Sequence, residues 1–285
     1  MGYLYATLIG LGAFAIRLWA RNLSFNMPSD SFTYSRMSFG EAVPNPFRIR
    51  WLIPKMFGRY GHLWLIVAPV ALLGTCPLIY WFGNLHGISS LWLVALWVAL
   101  PLWDILSAHA GIVDQFSWVF ALAVACLSLA GYFWFAIGLV MVAAAVAPKT
   151  VVFAALWSLN PWLLLGLIPA GIAYWKAPKG EPVMHADIIN HPWKSAMEKN
   201  GMFLHDAKAL LMPWGACLFG LATIPLIHVV TVAVAYAQMF CAIDRARLYM
   251  WAAPVLLVAT VTAIPGEWLP IAFFVTWFNP WRSIV

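Results

Sequence analysis

Apolar stretches of 18 residues or more recur along the whole of this 285-residue chain. A stretch of that length crosses the hydrocarbon core of a bilayer as a helix. In lipid only helices and closed barrels satisfy their own backbone groups. A barrel needs strands that alternate polar and apolar residues, and no such alternation is sustained here. The expected fold is therefore all-α: a polytopic integral membrane helical bundle, with residues 1–285 forming a single transmembrane domain. Charged residues are 9% of the chain, against roughly 25% in a soluble domain, which excludes the soluble globular class. The 18 tryptophans suit interfacial and cleft surface, because the indole ring is amphipathic.

The apolar runs divide into about nine spans, within a range of about 8–10. They are placed at 3–20, 62–83, 89–107, two within 115–147, then 151–175, 209–241, 248–264 and 268–278. The run 115–147 is too long for one crossing at 1.5 Å per residue, and Gly131 divides it. Asn160-Pro161 and Pro169 predict kinks in 151–175, and Pro213 and Pro225 predict a bent or broken helix in 209–241. A long first loop, 21–61, is expected to carry surface helices, and a polar loop covers 176–207. The apolar stretch from Tyr3 to Trp19 lacks a basic lead and a small-residue cleavage site, so it is expected to be retained as a span.

With the split at Gly131, the 21–61 loop, Asp114, Lys149 and the Asp244–Arg247 cluster fall on one membrane face. The turn at Gly131, the 176–207 loop and the Gly266-Glu267 turn fall on the other. The first face carries Arg21, Arg36, Arg48, Arg50, Lys55, Arg59, Lys149, Arg245 and Arg247, and the second carries Lys176, Lys179, Lys194, Lys199 and Lys208. By the positive-inside rule the first face is cytoplasmic. Convergence of scattered ions on one face is what a single polar cleft needs.

Each candidate residue has a local reading beside a chemical one. Asp30, in Pro28-Ser29-Asp30-Ser31, is either the N-cap of a short helix beginning at Ser31 or a proton acceptor near the bilayer. In Pro46-Phe47-Arg48-Ile49-Arg50-Trp51-Leu52-Ile53-Pro54-Lys55 basic and apolar residues interleave. Such a segment lies on anionic lipid or clamps a phosphate through guanidinium forks. Pro54 is expected to disturb any helix there. Asp104 lies inside an apolar span, where a carboxylate faces protein or water. Asp114 caps the next span, Lys149 snorkels from the end of another, and Asp244 and Arg247, at i and i+3, form a local pair. His185, Asp187, His191, His205 and Asp206 have no metal-ligand spacing, so no metal and no other cofactor is indicated. Cys76, Cys126, Cys217 and Cys241 all lie in apolar runs without a CxxC partner and read as small buried hydrophobes. There is no GxGxxG or Walker pattern and no soluble basic face for nucleic acid.

Five elements in order resemble the GT-C class of polytopic glycosyltransferases. They are Asp30 to Tyr34; Pro46-Phe47-Arg48 to Pro54; Asp114-Gln115-Phe116-Ser117 to Leu122; Pro148-Lys149-Thr150; and Asp244-Arg245-Ala246-Arg247-Leu248 leading to Ala253-Pro254. Thr150 stands where the class often has glutamate. The resemblance implies a minimal or divergent member that transfers a sugar from a polyprenyl-phosphate donor to an acceptor, with inversion. It implies Asp30 as catalytic base, Arg48, Arg50, Lys149, Arg245 and Arg247 as donor-phosphate ligands, and Tyr34, Asp114 and Asp244 in support. It also implies a multi-pass location in the cytoplasmic membrane of a prokaryote or of a virus's host, with membrane lipid around it and the site facing the periplasm, exterior or lumen, opposite to the side that the positive-inside count alone points to. Two other functions fit the same residues. In a transporter or flippase-like carrier of a lipid or anion, Asp104 and the arginines line a pathway. In a non-catalytic scaffold, the tryptophans pack against partner subunits.

Overall fold

The computed structural model describes residues 1–21, 29–43, 50–108, 113–176, 211–238 and 249–280. Among these residues all regular structure is helical. The helices are α1 (Gly2–Arg21), α2 (Ser29–Ser38), α3 (Leu52–Phe57), α4 (Gly61–Leu85), α5 (Ser90–Ala99), α6 (Pro101–Ala108), α7 (Asp114–Leu129) and α8 (Phe133–Val146). They continue with α9 (Pro148–Ser158), α10 (Leu167–Lys176), α11 (Leu218–Thr223), α12 (Leu226–Ala237), α13 (Ala253–Ala263) and α14 (Leu269–Trp277). Short 3-10 turns lead into α10, α11, α13 and α14.

Gly2–Trp19 and Leu63–Leu85 are each long and apolar enough to cross a membrane. The number becomes four if the bent pairs Ser90–Ala99 with Pro101–Ser107 (63°) and Met250–Ala263 with Gly266–Trp277 (118°) each form one span. The remaining expected spans appear as apolar helices of 10–17 residues. Region 89–107, expected as one span, is thus two helices.

One steric rule accounts for most of the breaks. The ring of a proline crowds the residue before it and drives that residue out of the α region. Leu100, Ala147, Ile224 and Ile264 precede Pro101, Pro148, Pro225 and Pro265, and all four have extended backbones. Asn160, before Pro161, is also extended and follows Leu159, which sits at φ 52°. Between α7 and α8 a glycine does the work. Gly131 (φ 82°) donates to Ser128 O at 3.1 Å, and Tyr132 donates to Leu127 O at 2.9 Å. This paired closure at a left-handed residue satisfies the last carbonyls of α7 and reverses the chain. Pro54 does not prevent α3. It occupies the first turn of a six-residue helix, where its missing N–H has no intrahelical acceptor to lose.

α4 is the centre of the N-terminal half. Ala68, Leu72, Cys76 and Ile79 are fully buried along one of its sides. α1 runs antiparallel to it. A Cβ on Gly10 would lie 2.6 Å from Cys76 Sγ, and one on Gly2 would strike the Tyr80 ring. α7 runs parallel to α4: Val113 and Phe116 pack with Trp64 and Ala68, while Cys126 Sγ meets Leu78 O at 3.6 Å further along. The C-terminus of α1 and the N-termini of α4 and α7 therefore lie at one end of this group. Cys76, Cys126 and Cys217 are buried and free. Cys241 and nearly all of the 176–207 loop lie outside the described residues.

The tryptophans divide between surface and core: Trp19, Trp134, Trp162, Trp175 and Trp268 are exposed. Trp97, Trp103, Trp118, Trp157, Trp214 and Trp251 are among the largest fully buried side chains. Trp118 stacks on Trp251 with centroids 4.2 Å apart, and Trp157 stacks on both. Burial is tolerated where the indole N–H finds an acceptor. Trp97 donates to Thr75 Oγ1, Trp157 to Trp251 O and Trp214 to Tyr236 Oη.

Candidate functional site

Two polar pairs border one packed cluster. In the first, Arg50 Nη1 donates to Tyr34 Oη at 3.2 Å. Tyr34 is 1% exposed, and its ring stacks on Trp64 at 5.9 Å. In the second, Lys149 Nζ donates to Asp114 Oδ1 at 2.5 Å, with both side chains largely buried. Tyr34, Trp64, Val113, Phe116 and Val146 belong to the same hydrophobic cluster, against which Trp51 also packs. Residues adjacent to Arg50 and Asp114, and a residue three positions before Lys149, are thus shared. α2, the 50–51 segment, α4, α7 and α8 supply them.

Asp114 is the first residue of α7, and its N-cap position, Val113, makes no side-chain cap bond. Asp114 thus lies one position inside the helix, past its N-cap. As a carboxylate in the first turn it is favoured by the positive end of the helix dipole. Lys149 is the second residue of α9, where that same dipole disfavours a cation. It does not snorkel. It turns onto Asp114 and the face of Trp251, whose centroid is 5.1 Å from Nζ. The lysine is held by a carboxylate and a ring because its own helix terminus repels it.

Buried donors stand near both pairs. Among the described residues, Trp64 Nε1, Thr150 Oγ1 and Trp251 Nε1 have no hydrogen-bond partner. Such groups are costly unless something pairs with them. Gln115 is fully buried beside Asp114, and its side-chain amide donates to Leu106 O at 2.9 Å.

α2 begins at Ser29, so Asp30 falls within its first turn rather than capping a helix that starts at Ser31. Asp30 precedes Tyr34 by four residues in the sequence. Arg48, Asp244, Arg245 and Arg247 lie outside the described residues, as does His109. The described chain resumes at Tyr249, two residues beyond Arg247, and enters the aromatic group through Trp251.

A third charged pair lies deeper. Arg17 Nε is 2.7 Å from Asp104 Oδ1, and the two side chains are 4% and 8% exposed. Arg17 also donates to Ala13 O and Val98 O, at 3.2 and 2.6 Å, and its guanidinium lies 4.4 Å from the Trp277 ring centroid. The sequence singled out Asp104 but passed over Arg17. The missed signal was a lone arginine inside the first apolar run, to which the rule used for Asp104 applies equally.

Among the described residues no three His, Cys, Asp or Glu side chains gather as a metal-binding group. No protein-family model, no curated protein and no solved structure matches the chain.

Proposed function

We propose that this chain is a multi-pass membrane glycosyltransferase of the GT-C type that uses a polyprenyl-phosphate-linked sugar. The observation that carries the reading is the placement of Tyr34–Arg50 and Asp114–Lys149 around one cluster. These residues come from four sequence elements of the resemblance, and the apolar helices supply the membrane setting for a lipid-borne donor.

In the proposed reaction an acceptor hydroxyl oxygen attacks the anomeric carbon of the donor. The bond from that carbon to the phosphate oxygen breaks, and the phosphate leaves with the electron pair. Asp30 takes the hydroxyl proton. A single displacement inverts the anomeric centre. Charge building on the leaving phosphate meets Arg50 and Lys149, with Arg48, Arg245 and Arg247 completing the set. Fixed cations in a water-poor setting stabilise that charge without reorganising. Asp114 holds the Lys149 ammonium in position, and Tyr34 holds the Arg50 guanidinium.

The carrier reading draws on Asp104. That carboxylate is 6% exposed and engaged by Arg17, which supports a packing role for it instead.

The test is release of polyprenyl phosphate from polyprenyl-phosphate-linked hexoses and pentoses by the protein in lipid nanodiscs. Loss of a general base lowers kcat by about 100-fold or more, so Asp30→Asn is expected to do so while eluting as folded protein. Arg50→Gln is expected to raise KM for the donor. Wild-type turnover in both variants would overturn the assignment, as would a wild-type protein that releases no phosphate from any donor.

A further inference from the structure

The basic residues of the first loop divide into two sets. Arg50 turns inward to Tyr34. Arg36, Lys55 and Arg59 are exposed, and they share their surface with exposed Phe32, Phe39, Met56 and Tyr60. On α2 the exposed Phe32 and Arg36 are four residues apart, on one side of the helix, and exposed Phe39 follows directly after its end. The opposite side buries Tyr34 and Met37, while α3 buries Ile53 and Pro54.

α2 and α3 form one face because they are tied together. Arg59 Nε donates to Ser38 O at 3.0 Å, and its guanidinium lies 5.5 Å from the Phe39 ring centroid. At Gly58 a Cβ would lie 2.8 Å from Ser38 Cβ, so the backbones meet there. Glu41 pairs with Arg36 at 2.6 Å, both about half exposed. Three cations less one carboxylate leave this face at +2.

The position of this face follows from its neighbours. α1 precedes it and α4 follows it, and both contain stretches long and apolar enough to cross a membrane. A segment joining the same ends of two crossing helices lies at the level of the lipid headgroups. Large apolar side chains exposed among cations at that depth suit an interfacial surface, with rings at the acyl boundary and ammonium and guanidinium groups on phosphates.

We propose that the outer face of α2 and α3 binds anionic phospholipid headgroups, with Phe32, Phe39 and Met56 inserted and Arg36, Lys55 and Arg59 contacting the lipid phosphates. This inference rests on the membrane reading above and is independent of the transfer reaction. It separates a lipid-binding set of cations from the inward set.

The test places a fluorophore at Phe39→Cys and measures quenching by nitroxide lipids in nanodiscs. One nanodisc is phosphatidylcholine alone, and the other contains about 30% phosphatidylglycerol, enough to give a strongly negative surface. The four native cysteines, of which Cys76, Cys126 and Cys217 are buried, set the labelling background, measured on the protein without the added cysteine and subtracted. Quenching near the headgroups is expected to rise about twofold or more with the anionic lipid. Lys55→Gln should reduce that gain, and Arg36→Gln/Lys55→Gln/Arg59→Gln should abolish it. If the triple variant does not fold, Lys55→Gln alone decides, because its ammonium is exposed and stacks only on Trp51 among the described contacts. Leu11→Cys, on an exposed part of α1, is the control for membrane insertion. If a deep nitroxide fails to quench it, the membrane reading falls. If it is quenched while the Phe39 position stays open to aqueous iodide, or is quenched equally in both lipids, only the headgroup assignment falls. A soluble protein that shields position 39 in place of lipid would overturn it as well.

Discussion

The Lys149 ammonium lies 2.5 Å from the Asp114 carboxylate although 35 residues separate them in sequence. Both stand in the first turn of a helix. The acid suits its terminus and the base does not, so the lysine depends on the aspartate more than the aspartate depends on the lysine.

That asymmetry is measurable. Asp114→Asn leaves a buried ammonium without its counter-charge, and removing one member of a buried pair costs about 3–5 kcal/mol. Lys149→Met should cost less, because Asp114 keeps the favourable field of the α7 N-terminus. Thermal unfolding in detergent should rank Asp114→Asn below Lys149→Met, with the double variant between Asp114→Asn and wild type. Equal losses for the two single variants would show that the helix termini contribute nothing to the pair.

Arg17 and Asp104 give a stricter case, since both are almost wholly enclosed. Asp104→Leu is expected to cost about 3–5 kcal/mol because it strands the guanidinium, whereas Arg17→Met/Asp104→Leu should recover most of that loss. If the pair serves transport instead of packing, the double variant would unfold normally and lose flux. Unfolding temperature and lipid or anion flux in proteoliposomes separate the two outcomes.

Two glycines should respond in opposite directions to the same change. At Gly220 a Cβ would lie 2.4 Å from Leu256 O and 2.6 Å from Thr260 Oγ1, so Gly220→Ala must push α11 away from α13. Gly138, inside α8, has open space around it, and alanine there removes a helix penalty of up to about 1 kcal/mol. Gly220→Ala should lower the unfolding temperature and Gly138→Ala should hold or raise it. A neutral Gly220→Ala would mean that α11 and α13 are not in this contact.

The turn at Gly131 separates α7 from α8. α8 has 14 residues, about 21 Å at the standard rise, which suffices only for a thinned or tilted crossing. A cysteine at Tyr132, which is exposed, should react with a membrane-impermeant maleimide from the side opposite to one at Lys55. Reaction of both from the same side would remove α7 and α8 from the set of crossing segments.

The places where helices stop were legible because their causes are local. Asn160-Pro161, Ile224-Pro225 and Ile264-Pro265 each break the chain through the clash of one ring with one preceding residue; Leu100-Pro101 obeys the same rule inside a region expected as one span. Gly131 closes α7 because it alone in that turn accepts a left-handed backbone without strain. The same local logic placed Asp114 at the start of α7 but not beside Lys149, because adjacent sequence shows a helix end and not a partner 35 residues away.

From its sequence alone this chain was determined to be helical and apolar, with breaks at Pro161, Pro225, Pro265 and Gly131, whereas Pro69 and Pro77 lie inside α4 without ending it. Tertiary structure decided which ions meet. It paired Arg17 with Asp104 across 87 residues and Lys149 with Asp114, turned Arg50 inward and left Arg36, Lys55 and Arg59 outside. It also drew Trp118, Trp157 and Trp251 from the expected interface into one stack. The physical reason is that most of these helices are apolar on every side. A helix without a polar face carries no mark of which neighbour it will meet, so packing chooses the partner, and the partner determines what each charge does.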